Sequence, residues 1–507
     1  MQENSRSKRI AKNTCFLYIR MFLVMAVSLY TVRVVLRTLG VEDYGIYSAV
    51  GGIVTSLSFV TSVLASASQR FFSIDLGKND LYSLKKTFSV MVFLYIIVAL
   101  LILLIAETIG LWFLENKMTI PESRMDAAYW VFQCSIITFI ISVVSSPYQA
   151  LIIAKEKMNI YSIVGIVDVI LKLILVYLLV FVDIDKLKLY SMLMVAVTIS
   201  CQSVYALYSF CSYRETHLSL MLDKNIVRSV LSFSTWSVFG SLSFICNSQG
   251  VNLILNVFFG PIVNAAYMIG NQIKTTVNLF SSNFYIAVRP TMIKEYATGN
   301  MAYVRKLVFF STKAIFSLLF VIVFPISMEI DGILKLWLGE VGDYMVIFVR
   351  LMLVYAIIVS LSDPLTTIAQ ASGSVKKYYL QVDGFTLLTL PISYFAFQLG
   401  FSPEFVFVIS IVIFLCAHFI RLHVVRNYMP LSISDYTISI LVRIAIVVLV
   451  TFILSMLAVS WLSDSLISMI VSGLIEVLIS AVSCYLFLLN KFERLQLRDL
   501  FLSRFRK

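Results

Sequence analysis

Long apolar stretches broken by short polar clusters run the length of the chain. A membrane-crossing helix needs about 20 mostly apolar residues. Fourteen stretches qualify, at 11–36, 44–72, 87–112, 127–152, 159–182, 189–212, 226–248, 251–285, 307–329, 345–371, 378–399, 403–425, 437–461 and 465–489. The seventh and eighth are the least apolar, carrying Ser, Asn, Gln and Lys, and Asn247, Ser248, Gln249 and Gly250 read as the turn between them. Arg6, Lys8, Arg9 and Lys12 precede the first run. That run continues from Cys15 to Leu36, beyond the ~7–15 residues of a signal-peptide core, so it reads as a first membrane helix with the N-terminus inside. The pattern predicts an all-α integral membrane protein.

Composition agrees. The 507 residues are 60% hydrophobic and 13% charged, whereas soluble domains run near ~45–50% apolar and ~25% charged. The net charge of +12 would suit a nucleic-acid binder, but its placement follows the membrane rule that Lys and Arg gather in cytoplasmic loops. With the N-terminus inside, inside segments hold 26 cations, among them Lys85, Lys86, Lys155, Lys157, Arg421 and Arg426, and outside loops hold 6. Both termini are then cytoplasmic, and the chain belongs in the cytoplasmic (inner) membrane. The longest external loops, 113–126 and 330–344, leave no room for a catalytic or nucleotide-binding domain, and no Walker motif is present. The seven cysteines form no CxxC pair, and His217, His418 and His423 form no metal-ligand pattern. No cofactor or metal is expected, and no enzyme.

An internal repeat has an offset near 220 residues. Gly40 and Tyr47 of LGVEDYGIY match Gly260 and Tyr267 of FGPIVNAAY. Gly51 then matches Gly270, Arg70 matches Arg289, and Lys85-Lys86 matches Arg305-Lys306. Glu107, Gly110 and Trp112 recur as Glu329, Gly332 and Trp337. Six spans separate the copies, so both have the same orientation, as in two-lobed transporters that rock about a central cavity. The domains expected are an N-lobe at 1–220, a C-lobe at 221–430, two further helices at 431–490 and a basic amphipathic tail at 491–507 lying on the inner leaflet.

Ionisable groups inside the bilayer cost about 2.5–3.5 kcal/mol on insertion scales, so they mark cavities or partners. Arg20, Lys172 and Lys274 lie well within their spans, and Arg33 lies near an outer end. Asn271 and Asn278, seven apart, flank Lys274 on nearly one helix face. These six are the candidate substrate-binding residues. Arg70, Lys313 and Arg443 lie near inner ends, where long side chains reach the interface. Asp168 precedes Lys172 by one turn, in the favourable acid-before-base order. The two form either a self-neutralising pair or a proton- or sodium-sensitive switch. Asp363, followed by Pro364 and hence by a kink, and Asp383 are the other candidate ion-coupling residues. Cations outnumber acids within the spans, which suits an anionic cargo such as a pyrophosphate.

The stretch NTCFLYIRMFLVMAVSLYTVRVVLRTLGVEDYGIYSAVGGIV (13–54), with its helix-1 arginine and LGxxxYGxY element, resembles Wzx-type O-antigen and repeat-unit flippases. So does AKEKMNIYSIVGIVDVILKLILVYLL (154–179). These belong to the multidrug/oligosaccharidyl-lipid/polysaccharide superfamily. The resemblance implies two six-helix lobes in a V-shaped, MATE-like arrangement plus helices 13 and 14. It implies translocation of undecaprenyl-diphosphate-linked oligosaccharides by alternating access, driven by H+ or Na+ or the membrane potential. Relatives use cavity arginines for the diphosphate, and Arg20 and Lys274 are the matching positions. A polysaccharide polymerase and glycosyltransferases are the implied protein partners. A cation-coupled drug exporter of the same fold is the rival reading, and it calls for a more acidic cavity.

Overall fold

The computed structural model describes residues 2–55, 58–118, 120–181, 185–217, 223–338, 341–459, 466–490 and 493–494, and of Arg33 the backbone alone. The described residues are helical, with no strand among them. Helix α1 is Gln2–Leu39, and α2 is described in two pieces, Val41–Thr55 and Ser58–Gly77. Next come α3 (Leu81–Asn116), α4 (Glu122–Ala154), α5 (Met158–Leu178) and α6 (Lys186–Ser212). The continuous element Lys224–Ala297 is broken at Gly260 into two arms, α7 and α8. Then follow α9 (Met301–Met328), α10 (Met345–Ser372), α11 (Val375–Gln398), α12 (Phe405–Val425), α13 (Ile433–Ala458) and α14 (Ile467–Leu488). Among the described residues, twelve segments are long and apolar enough to cross a membrane. Helix α2 and the arm after Gly260 are more polar, and they bring the described helical segments to the fourteen expected.

One turn falls elsewhere than the sequence suggests. Asn247, Ser248, Gln249 and Gly250 stay helical, and the break comes at Gly260, with φ 78° and ψ −170°. The polar quartet serves packing instead. Asn247 donates to the Thr386 carbonyl at 2.9 Å, the Ser248 carbonyl accepts from the Tyr267 hydroxyl at 2.9 Å, and Gly250 lies against Leu390. Only glycine adopts the Gly260 conformation readily. The kink expected at Asp363-Pro364 is present: α10 is interrupted after Ser360 and resumes at Asp363 with the proline in its first turn, where its missing N–H costs nothing.

The repeat is visible in the backbone. Gly40 (φ 86°) and Gly260 (φ 78°) both take positive φ and both end a long helix. Asn79 (φ 56°) and Gly299 (φ 77°), again 220 apart, turn the chain before α3 and α9. Each of those helices is N-capped by the next residue: Asp80 accepts from the Ser83 N–H, and Asn300 from the Tyr303 N–H. The Asp80 and Asn300 N–H groups reach back to the carbonyls of Asp75 and Glu295 at 3.0 and 3.1 Å. Identical capping at a constant offset is stronger support for duplication than any single residue match.

Contacts divide the chain into two compact units, Arg9–Val238 and Phe239–Lys507 with Met1–Lys8. In the first, Leu64, Phe72, Leu84, Phe88, Met91, Tyr95, Leu151 and Val230 form a core between α2, α3, α4 and the start of α7. In the second, Val251, Leu255, Tyr267, Phe348, Met352 and Phe407 join α7, α8, α10 and α12. Many large apolar side chains point outward, Leu100, Leu104, Ile109, Leu449, Leu457 and Leu474 among them. Such a surface belongs in hydrocarbon. The tail at 491–507 lies outside the described residues, apart from Glu493 and Arg494.

Candidate functional site

In the first unit, Arg20 of α1 is directed at α5. Its guanidinium carbon lies 4.6 Å from the centre of the Tyr161 ring. Gly165, one turn on from Tyr161, leaves the space the arginine occupies, and a Cβ there would collide with the Arg20 side chain. The Arg20 Nε is buried with no hydrogen-bond partner among the described residues. One further turn along α5, Asp168 accepts from Lys172 at 2.7 Å. The Cys201 thiol of α6 lies near Asp168. Tyr205 of α6 donates to the Tyr161 carbonyl at 3.2 Å and feels the charges of both Arg20 and Asp168. Among the described residues, two cations and one carboxylate therefore share this cluster, leaving one positive charge without a counterion. Three candidates from the sequence, Arg20, Asp168 and Lys172, come together here. The side chain of Arg33 lies outside the described residues.

The same unit holds a cavity of about 470 Å³ lined by Tyr47, Ser48, Gly51, Ser135, Thr138 and Ser191, among others. Hydroxyls line it and no charge does. No sequence signal picked it out, because the hydroxyls come from three helices far apart in the chain.

In the second unit, Lys274 of α8 borders a cleft of about 30 Å³ lined also by Asn247, Ser248, Tyr267, Tyr355 and Ser410. That volume exceeds the ~10–15 Å³ needed to hold a water molecule. The ammonium lies 5.7 Å from the centre of the Tyr355 ring, a distance that permits cation–π attraction. No carboxylate pairs with it among the described residues. Asn271 and Asn278 lie on the same helix, where their backbone carbonyls accept from Thr275 and from Ser281 and Ser282.

A second cluster in this unit surrounds Arg421, which the loop count assigned to an inside segment. Arg421 lies within α12 and is only 4% exposed. Its Nε donates to the Tyr378 hydroxyl at 2.7 Å and its Nη1 to the Ser362 hydroxyl at 2.5 Å. Asp363 and Asp383 both feel its charge, and Asp363 also feels Arg289. Arg289 donates to Gln370 at 2.8 Å, and Gln370 donates to Tyr379 at 3.1 Å. Two of the three candidate ion-coupling aspartates thus belong to a four-membered set of two acids and two guanidiniums. A sequence reader could not find Arg421, because a cation at the end of an apolar run looks like a loop charge. Lys313 and Arg70 also differ from expectation. Lys313 is 1% exposed and held by both Glu493 oxygens at 2.9 Å. Arg70 is buried between the rings of Phe71 and Phe233, at 4.6 and 4.9 Å.

Solved structures with this arrangement of helices are transporters. A MATE in the bent conformation superposes with a TM-score of 0.72 at 14% identity, over 83% of this chain and 95% of the other. The chain has a MATE-like fold. A multidrug resistance MATE family transporter of the MOP superfamily, in its outward-facing conformation, gives a TM-score of 0.70 at 13% identity, over 82% of this chain and 95% of that one. A MOP superfamily transporter from Pyrococcus furiosus Vc1, whose description notes a binding pocket of reverse polarity and suggests a different function, gives 0.67 at 14% identity, over 84% and 97%. No family model and no curated protein matches the sequence.

Proposed function

We propose that this protein is a flippase that moves polyprenyl-diphosphate-linked oligosaccharides across the cytoplasmic membrane by alternating access, for surface polysaccharide assembly. One observation carries the reading: each unit holds an intramembrane cation, Arg20 or Lys274, against a tyrosine ring, with no carboxylate bonded to it among the described residues. A cation kept in a low-dielectric interior without a partner is costly, and an anionic cargo headgroup offsets that cost when it binds. Arg20 offers the fork suited to a phosphate, and Lys274 a point charge. The uncharged, hydroxyl-lined cavity of the first unit suits sugar hydroxyls. Lys172, Asn271, Asn278 and Arg33 are further contacts for the cargo in this reading. Asp168, Asp363 and Asp383 are the groups that would respond to a coupling proton or sodium ion.

The MATE-like neighbours include one described as a multidrug resistance transporter, and a drug exporter is the second reading. Asp363 and Asp383 are the acids it needs, yet Arg289 and Arg421 lie beside them. The neighbour described as having a pocket of reverse polarity is a precedent for the same fold with another use.

The deciding experiment extracts polyprenyl-diphosphate glycans from a deletion strain and asks which membrane face they occupy. A complete repeat unit accumulating on the cytoplasmic face, cleared by wild-type protein and not by R20A or K274A at matched expression, is the expected result. An unchanged pool, with a drug-sensitive strain, would favour the second reading.

A further inference from the structure

The repeat carries a pocket in each half, and the two pockets differ in kind. Tyr47 of α2 lines the cavity of about 470 Å³ in the first unit, and its match Tyr267 of α8 lines the cleft of about 30 Å³ in the second. The matched glycines show which residues of the next wall correspond. A Cβ on Gly51 would sit 3.8 Å from the Ser135 Oγ of α4, whereas one on Gly270 would sit 2.6 Å from the Met352 Sδ of α10. Ser135 and Met352 thus take equivalent places, 217 positions apart. At the same offset, Thr138 in the cavity wall corresponds to Tyr355 in the cleft wall. Tyr190, which packs edge-on against Tyr47 at 4.9 Å, corresponds likewise to Phe407, which stacks on Tyr267 at 6.2 Å. Met and Tyr side chains fill in the second half what Ser and Thr leave open in the first. The charge differs too: Val54 lines the cavity, and Lys274, 220 positions on, lines the cleft.

The open cavity is matched to a ligand that donates hydrogen bonds. The hydroxyls of Ser135, Ser142 and Ser191 donate to the carbonyls of Val131, Thr138 and Lys188 at 2.7, 2.9 and 2.8 Å. Each proton is committed to its own helix, and each oxygen keeps a lone pair for another donor. Among the described residues no guanidinium, ammonium or carboxylate lines the cavity. An anion finds no charged donor there and an organic cation no counterion, and burying either unpaired is costly. Phe139, Val54 and Met194 supply apolar wall. Small-molecule sites have volumes of ~300–1,000 Å³ and combine apolar lining with a few placed polar groups, as this cavity does. A sugar ring has the complementary surface, with O–H donors around its rim and C–H groups on its faces.

We infer that the first unit's cavity binds one uncharged, hydroxyl-rich sugar ring, and that the equivalent cleft of the second unit is closed to it. The duplicated pocket has diverged: one copy keeps room for a neutral ring, and the other gives up the room and carries a cation. The inference deepens the flippase reading and rests on it for what carries the sugar. Recognition of the ring rests on the cavity alone.

The test is saturation-transfer NMR of the full-length protein in nanodiscs of deuterated lipid, with empty nanodiscs as the blank. The probes are methyl glycosides of neutral hexoses and N-acetylhexosamines, with methyl phosphate and tetramethylammonium as the charged comparisons. At least one glycoside should show saturable binding, and neither charged probe should displace it. S135M/T138Y, which gives the cavity the side chains of the cleft, should abolish that binding while the melting curve stays in place. S135A/S142A keeps the space and removes two acceptors, and should weaken binding roughly 2–10-fold per hydroxyl. The second variant decides the matter if the first does not fold. Absence of binding by every glycoside, unchanged affinity in S135A/S142A, or displacement by tetramethylammonium would overturn the sugar site, the last in favour of an organic-cation pocket. Glycoside binding without a cytoplasmic-face glycan pool in the deletion strain would refute the proposed cargo and leave the site standing. A pool without glycoside binding would do the reverse.

Discussion

The two units handle intramembrane charge in different ways. Around Arg421, two acids and two guanidiniums cluster, with Tyr378 and Ser362 completing the arginine's bonds. Around Arg20, an aromatic ring faces the guanidinium, the carboxylate of Asp168 is taken by Lys172, and one donor is left unmade. In the first arrangement Arg421 is bonded by two hydroxyls and lies among two acids, an organisation suited to folding or to gating by an ion. The second is incomplete and is organised for binding. In the same sequence, a buried cation with full partners and one lacking them serve different ends.

The largest effect should come from breaking the Arg421 cluster. Leaving the buried Tyr378 and Ser362 hydroxyls without their charged partner costs about 1–3 kcal/mol each, so R421A should lower the melting temperature in detergent sharply. Adding D363N should restore part of the loss, and a double-mutant cycle of thermal melts measures it. If R421A melts like the wild type, the contrast between the clusters fails.

Arg20 should behave oppositely. R20A should leave stability nearly unchanged while weakening the anionic cargo ~10–100-fold, the equivalent of a charge-assisted bond of about 1.5–3 kcal/mol. G165A should imitate it by pushing Arg20 from its slot. Translocation rates at several glycolipid concentrations, beside melting curves, separate the two losses.

The duplication gives a smaller, paired effect. G40A and G260A should each cost about 1–3 kcal/mol, because both glycines hold a backbone region that other residues enter only under strain. Thermal melts of the two variants should give similar shifts. Unequal shifts would mean that the equivalent turns carry different loads.

Asp168 discriminates its two roles. D168N should reduce translocation by leaving Lys172 unpaired. In thermal melts the D168N/K172M double variant should recover the stability lost in D168N if the pair is structural, whereas D168N should flatten the dependence of translocation on pH or sodium if Asp168 senses an ion.

The smallest effect is at Asp185, just before α6. Burial pushes its carboxyl up, but the Lys188 N–H, the Arg124 guanidinium and the Leu187 N–H outweigh burial and hold it below the usual carboxylate range. Arg124 bridges it to Asp43. A lowered folded-state value stabilises the protein above the ordinary carboxylate range, and the contribution disappears as pH falls through the lowered value. D185N should therefore flatten the acid limb of a stability–pH curve by at most about 1 kcal/mol.

Much of the fold is legible in the sequence because crossing a bilayer demands a run of apolar residues, and only a helix or a closed barrel satisfies the backbone there. The fourteen runs, the Asp363-Pro364 interruption and the Gly40/Gly260 correspondence all follow from local chemistry. The turn at 247–250 does not. Asn and Gln in a membrane helix signal a turn or a packing contact equally well, and the bonds to Thr386 and Tyr267 decide for packing. Arg20, Asp168 and Lys172 were legible as charges in apolar runs. Tyr161, Gly165 and Tyr355 were not, since aromatics and glycines are common in such helices.

By itself, the sequence determined that the chain crosses a membrane many times, that its halves are duplicated, and that its spans carry more cations than acids. These follow from hydropathy, spacing and charge, which are properties of residues and near neighbours. Only the tertiary structure decided which charges have partners. Arg421 meets Ser362 and Tyr378 from other helices, and Lys313 meets Glu493 across 180 positions. The energy of a buried charge depends on what lies within a few ångströms, and helix packing brings those groups there from distant parts of the chain.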